Sequence, residues 1–157
     1  MIMDWKSLKS GSDVRGDAVG DNAALTSDVA IALGMAFAQW MSDRSGKNTK
    51  DMRFAIGRDS RITGSDLLKA AAEGIRRTGA SVMDFGLCTT PAMFMSIITP
   101  GFEPDGSIMI TASHHPWNRN GLKFFTPEGG IEGKDVEELL SRASVLKPGD
   151  FQHPSPQ

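Results

Sequence analysis

The chain has 157 residues, 39% hydrophobic and 23% charged, with a formal net charge of −2 and a single cysteine. That length buries a core without disulfides or metal, and the balanced charge excludes both a disordered acidic tail and a nucleic-acid-binding surface. No apolar run is long enough to span a bilayer, the N-terminal MIMDWKSLKS lacks the apolar centre of a signal peptide, and the lone Cys88 suits a reducing, cytoplasmic compartment.

One domain is expected over residues 1–147, with a linker or frayed tail over 148–157. In chain order, a Thr/Ser/Asp cluster at residue 26 followed by apolar positions Val29, Leu33, Phe37 and Trp40 predicts a helix over 26–41. Arg53 to Gly57 reads as a strand, RDSRITGS as a loop and DLLKAAAEGIRRTG as a helix stopped at Gly79. The pattern recurs with a strand at 81–85, the loop GLCTT and the helix PAMFMSIIT, which carries proline in its first turn. A strand at 107–111, a differently oriented strand LKFF at 122–125, a glycine-rich turn and the helix KDVEELLSRASVL complete the series.

Strands alternating with crossover helices imply a layered α/β domain. Ligands of such sheets gather beyond the carboxyl ends of the strands, so the loops after Ile56, Phe85 and Ile110 are expected to converge on one crevice.

Those loops hold suggestive chemistry. In GRDSR, Arg58 and Arg61 precede a helix whose free N–H groups favour anions, so a phosphate could sit there; equally, Asp59 could pair with either arginine as a structural clamp. Near the N-terminus Arg15 stands in a glycine-flanked segment, SGSDVRGDAVG, where a guanidinium could bind phosphate bidentately or simply occupy a surface turn. The stretch from Ile110 to Phe125, ITASHHPWNRNGLKFF, is the densest: Ser113 follows a strand that could hold a nucleophile or phosphate carrier rigidly. His114 could donate to phosphate or shuttle a proton, and Lys123 could reach the same crevice if LKFF turns back beside the loop. Adjacent His114 and His115 without spaced Cys, His or Glu partners do not suit zinc, and no GxSxG surrounds Ser113.

Three segments occur in an order that resembles the α-D-phosphohexomutases: Ser10 to Gly16 resembles their SGTDIRG-type segment, Gly57 to Arg61 their GRDSR segment, and TASHHP with Asn120-Gly-Leu-Lys123 their phosphoserine loop. The resemblance runs from about Ser10 to Leu146 and matches only the first of that family's four domains. It implies a three-layer αβα sandwich with a mostly parallel mixed sheet. It also implies that Ser113 carries the phosphoryl group passed to and from a hexose monophosphate through a bisphosphate, with Lys123 in proton transfer and His114 supporting the loop. Arg15, Arg58, Arg61, His115 and Asn120 would then serve phosphate or substrate. Magnesium would bind through the phosphate on Ser113, its remaining ligands coming from a second domain not found here. The family usually has asparagine where His115 stands, and an aromatic near Arg119. The expected partners are hexose phosphates and the remaining domains, with self-association through the methionine-rich PAMFMSII segment also open. A non-catalytic phosphate-binding or assembly module is the alternative, whereas a stand-alone phosphatase would lack a metal cluster or base-orienting pair.

Overall fold

The first long helix, α1 (Ser27–Ser45), runs one turn beyond its last apolar residue. Nothing in SDRS forbids a helix, and the chain turns only at Gly46, whose φ of 72° supplies the left-handed cap that residues with a Cβ resist. Thr26 opens the helix by accepting from the Val29 N–H at 3.3 Å. Apolar residues bury on nearly every side of α1, because the helix is wedged between the sheet, α2 and α4.

The computed structural model describes residues 3–147, so the tail expected over 148–157 lies outside the described residues. The other elements are β1 (Lys9–Ser10), β2 (Asp13–Asp17), β3 (Arg53–Arg58), α2 (Gly64–Arg77), β4 (Ser81–Leu87), α3 (Thr90–Ser96), β5 (Gly106–Ile110), β6 (Arg119–Thr126), β7 (Gly129–Gly130) and α4 (Gly133–Val145). They form one sheet in the order β1-β2-β6-β5-β3-β4, with β7 added to β6.

The sheet is mixed, and the expected parallel majority holds only for its β5-β3-β4 half. The pairs β1-β2, β2-β6, β5-β6 and β6-β7 are antiparallel. The imbalance comes from the N-terminal hairpin, which a glycine-rich, polar sequence disguises as a turn, and from β6 returning directly beside β5 without a crossover helix.

Helix α2 carries the chain from β3 outward to β4, and α3 carries it back past β3 to β5. Right-handed crossovers that run in opposite directions place their helices on opposite faces, which makes three layers. On one face α1, α2 and α4 cover Val14, Phe54, Ile56, Ile108, Leu122 and Phe124. Phe37 centres that core, its ring 4.9 Å from Phe124 and 5.5 Å from Phe54. On the other face only the short α3 covers Ala55, Met109 and Phe125, through Met93 and Ile97. No described helix is long and apolar enough to cross a membrane.

The reversal of crossover direction separates the carboxyl ends of β3 and β5 from a helix that would otherwise cover them, and a site can form there.

Candidate active site

Strand β2 pairs with β6 in the register Val14 to Leu122 and Arg15 to Gly121. Side chains alternate along a strand, so with Val14 and Leu122 in the helix-covered core, Asp13, Arg15 and Lys123 face the thinly covered side. Gly121 makes this possible: a Cβ there would stand 2.6 Å from Arg15 Cδ and against the carbonyls of Val14 and Thr111. Arg15 therefore lies across β6 and is only 4% exposed.

Its guanidinium donates to the Thr111 carbonyl, to Asp13 Oδ2 at 2.8 Å and to Ser113 Oγ at 3.2 Å. The second carboxylate oxygen, Asp13 Oδ1, accepts from Lys123 Nζ at 3.1 Å. Ser113, Arg15 and Lys123, singled out separately in the sequence, thus form one connected group. Asp13 joins them and was missed; read as a strand, the segment would have placed it on the face of Arg15 two residues on.

The serine sits at the first turn after β5. Its φ of 53° is left-handed, a conformation that costs a residue with a Cβ and persists only where the surroundings impose it. Two supports do so. Thr111 Oγ1 donates to Asp59 Oδ2 at 2.6 Å and accepts the Ser113 N–H at 3.0 Å. Arg61 donates to the carbonyls of Ser113, His115, Pro116 and Arg119, at 3.0, 2.7, 2.7 and 3.0 Å. Of the two readings of GRDSR, the Asp59 clamp is the one seen for Arg61: its Nε stands 3.6 Å from Asp59 Oδ2, and its Nη donors are spent on the loop's backbone oxygens. The loop support expected of His114 falls to this arginine.

Of the other residues expected to serve phosphate, Asn120 is committed within the protein. Asn120 is fully buried, donating to Thr63 Oγ1 at 3.0 Å and accepting the Gly121 N–H at 2.9 Å, so its amide joins β6 to the start of α2. Arg58 donates to the neighbouring Asp59 carbonyl at 3.1 Å. His114 is exposed, its ring 5.3 Å from that of His115. Desolvation pushes the His115 imidazole below its ordinary pKa, and the charges of Arg119, Arg15, His114 and Arg61 push it the same way. The neutral ring is favoured there.

The resulting cleft is lined by Asp59, Ser60, Arg61, Ile62, Ser113, His115 and Trp117. That lining draws on two of the three loops expected to converge. The loop after β4 adds no residue to it: its Cys88 N–H donates to the Arg58 carbonyl at 2.9 Å and its sulfur lies near Met109. Burial pushes the Cys88 thiol above its ordinary pKa, away from nucleophilic thiolate.

A buried arginine holds an exposed serine at the sheet's topological switch point in a three-layer α/β/α domain, the place where open α/β sheets gather their ligands. Comparison with known proteins defines the class. Residues 6–144 match the family model described as phosphoglucomutase/phosphomannomutase, alpha/beta/alpha domain I. The chain belongs to that family. It is 36% identical over 146 residues to a phosphoglucosamine mutase of Symbiobacterium thermophilum, covering 92% of this chain and 31% of that protein. It is 37% identical over 141 residues to one of Pediococcus pentosaceus, covering 89% and 29%. A crystal structure of a phosphoglucomutase/phosphomannomutase family protein from Burkholderia thailandensis superposes with a TM-score of 0.76 at 29% identity, over 88% of this chain and 30% of that one. The chain thus spans less than a third of the length of these relatives.

Proposed function

We propose that this chain is the phosphoserine-bearing domain of a cytoplasmic phosphohexomutase, which interconverts hexose 1-phosphate and hexose 6-phosphate through a bisphosphate. The observation that carries the reading is the exposed Ser113 Oγ, 3.2 Å from Arg15 Nη2 and linked through Asp13 to Lys123. Phosphoryl transfer depends on positioning and on neutralising charge spread over the equatorial oxygens. Arg15 is already aimed at the oxygen that would bear the group.

In the forward step, a hexose hydroxyl oxygen bonds to the phosphorus on Ser113 and the bond from phosphorus to Oγ breaks. The hydroxyl proton leaves toward a base, and Oγ takes a proton as it departs; Lys123 is the proton-transfer candidate. The bisphosphate then reorients and returns its other phosphoryl group to Ser113 by the reverse exchange. His114 and His115 border the approach of the sugar phosphate.

Magnesium would supply further charge neutralisation, but the residues present do not form its site. Among the described residues no group of three or more His, Cys, Asp or Glu is placed to hold a metal ion. Asp59, the carboxylate in the cleft lining, is engaged by Thr111. A phosphate on Ser113 would be one ligand, the others coming from further domains. Those domains and hexose phosphates are the proposed partners, and turnover by the 157-residue chain alone should be slight. Phe94, Met95 and Ile98, apolar and exposed on α3 and just beyond it, are the proposed packing surface for the domains or for self-association.

Incubating the chain with a hexose 1,6-bisphosphate and mapping the product by peptide mass spectrometry tests the carrier role. Phosphate should appear on Ser113 and vanish in Ser113→Ala. Phosphate found only elsewhere would sink the reading.

A further inference from the structure

Arg15 and Lys123 bring two positive charges onto one sheet face, and a shared carboxylate accounts for their staying together. Asp13 divides its oxygens between them, Oδ2 to Arg15 at 2.8 Å and Oδ1 to Lys123 at 3.1 Å. The side chains of Arg15 and Asp13 are only 4% and 14% exposed, so water and salt screen their pair far less than an ordinary surface bridge. The backbone holds the carboxylate in place: Gly11, at a φ of 61°, turns the chain between β1 and β2, and Asp13 pairs with Ser10 across that turn.

We propose that Asp13 is a positioning residue for phosphoryl transfer, setting Arg15 against Ser113 and Lys123 beside it through one carboxylate; this rests on the carrier reading above. Nη1 keeps the Thr111 carbonyl, and Nη2 has two hydrogens, one held by Asp13 and the other already directed at Ser113, where a phosphate could accept it. Removing the carboxylate frees both cations to separate. Asn carries no charge and puts an NH2 donor where one of the two oxygens stood, facing a cation that can only donate, so it does not serve both in this geometry.

The test uses the full 157-residue chain, with Asp13→Asn and Asp13→Glu. Two quantities are measured: the rate of Ser113 phosphorylation from glucose 1,6-bisphosphate across donor concentrations, and the guanidinium ¹⁵N–¹H signals of Arg15, assigned with Arg15→Lys. A fixed guanidinium gives resolved Nη protons; a released one averages them. Asp13→Asn should lower the saturated rate about 100-fold, as a displacement of about 1 Å can. Half-saturation should move less than about threefold, because the loss falls on positioning rather than on donor binding. The Arg15 signals should average, and Asp13→Glu should recover part of the rate. An Asp13→Asn variant with an unchanged saturated rate, or with resolved Arg15 signals, overturns the proposal. If Asp13→Asn does not fold, Asp13→Glu decides: its rate should fall about tenfold with an unchanged melting temperature, and a wild-type rate overturns it. If the unsubstituted chain takes no phosphate on Ser113, the carrier reading has failed, and the Arg15 signals alone then judge whether Asp13 sets the geometry.

Discussion

The two faces of the sheet are built to different ends. Under α1, α2 and α4 the side chains interlock around Phe37, and α1 and α2 approach so closely that Gly34 and Gly74 leave no room for a Cβ against the backbone of the facing helix. On the opposite face α3 is a helix of only seven residues, apolar Phe94, Met95 and Ile98 remain exposed, and the sheet surface beyond α3 is given to Asp13, Arg15 and Lys123. The contrast teaches that stability and chemistry are segregated by face. The thick layer holds the strands still, while the thin one carries a charged row in which only Lys123 is substantially exposed. Ser113 lies where the two meet, at the end of β5.

If that division is right, the largest stability loss comes from the thick face. Gly74→Ala would drive a Cβ into the Ile31 carbonyl and should cost about 3 kcal/mol, the upper range for overpacking. For a chain of this size that lowers the melting temperature by roughly 6–12 °C by calorimetry. Ser113 phosphorylation at a permissive temperature should persist. A larger loss of phosphorylation than of stability would break the comparison.

Arg61→Ala comes next. It strands four carbonyls that now share one guanidinium and should cost about 2 kcal/mol. Amide exchange should quicken across residues 113–119 and stay unchanged in α1 and α2. Arg61→Lys should rescue little, since an ammonium cannot reproduce the planar fork.

A smaller effect is expected from Thr111→Val, which removes the hydroxyl between Asp59 and the Ser113 N–H. Urea denaturation should show a loss of about 1 kcal/mol. Ser113 phosphorylation should slow by more than that loss explains, because the left-handed serine is then less constrained.

The smallest effect concerns His115. Its folded pKa lies below 6.5, so below that pH the unfolded chain takes up the proton first and stability falls as pH drops toward the folded value. His115→Asn should remove this part of the slope, seen by comparing melting temperatures of the two proteins from pH 7.5 down to pH 5. Identical slopes would show that the imidazole feels no such burial or charge.

Legibility in the sequence followed the range of the forces involved. Helices α1, α2, α3 and α4 and strands β3, β4, β5 and β6 were readable because each carries its own pattern, punctuated by Thr26, Gly79 or Pro91. Strands β1 and β2 were not: DVRGD has no apolar alternation, and its partner β6 lies about a hundred residues away. Missing β2 hid Asp13 as well, since only the strand places it on the face of Arg15. Ser113, Arg15 and Lys123 were recognisable from motif resemblance, yet their mutual contacts were not. Arg61 and Asn120 show the same limit: their residue types suit phosphate, but their donors are committed to backbone and to Thr63.

By itself the sequence determined the order of most elements, the layered α/β class and the three segments from which a site could be drawn. Only the tertiary structure decided how those segments are used. A hydrogen bond is chosen by distance and direction, and these arise when Asp59 meets Thr111 across β3 and β5 and when Gly121 lets Arg15 cross β6 toward Ser113.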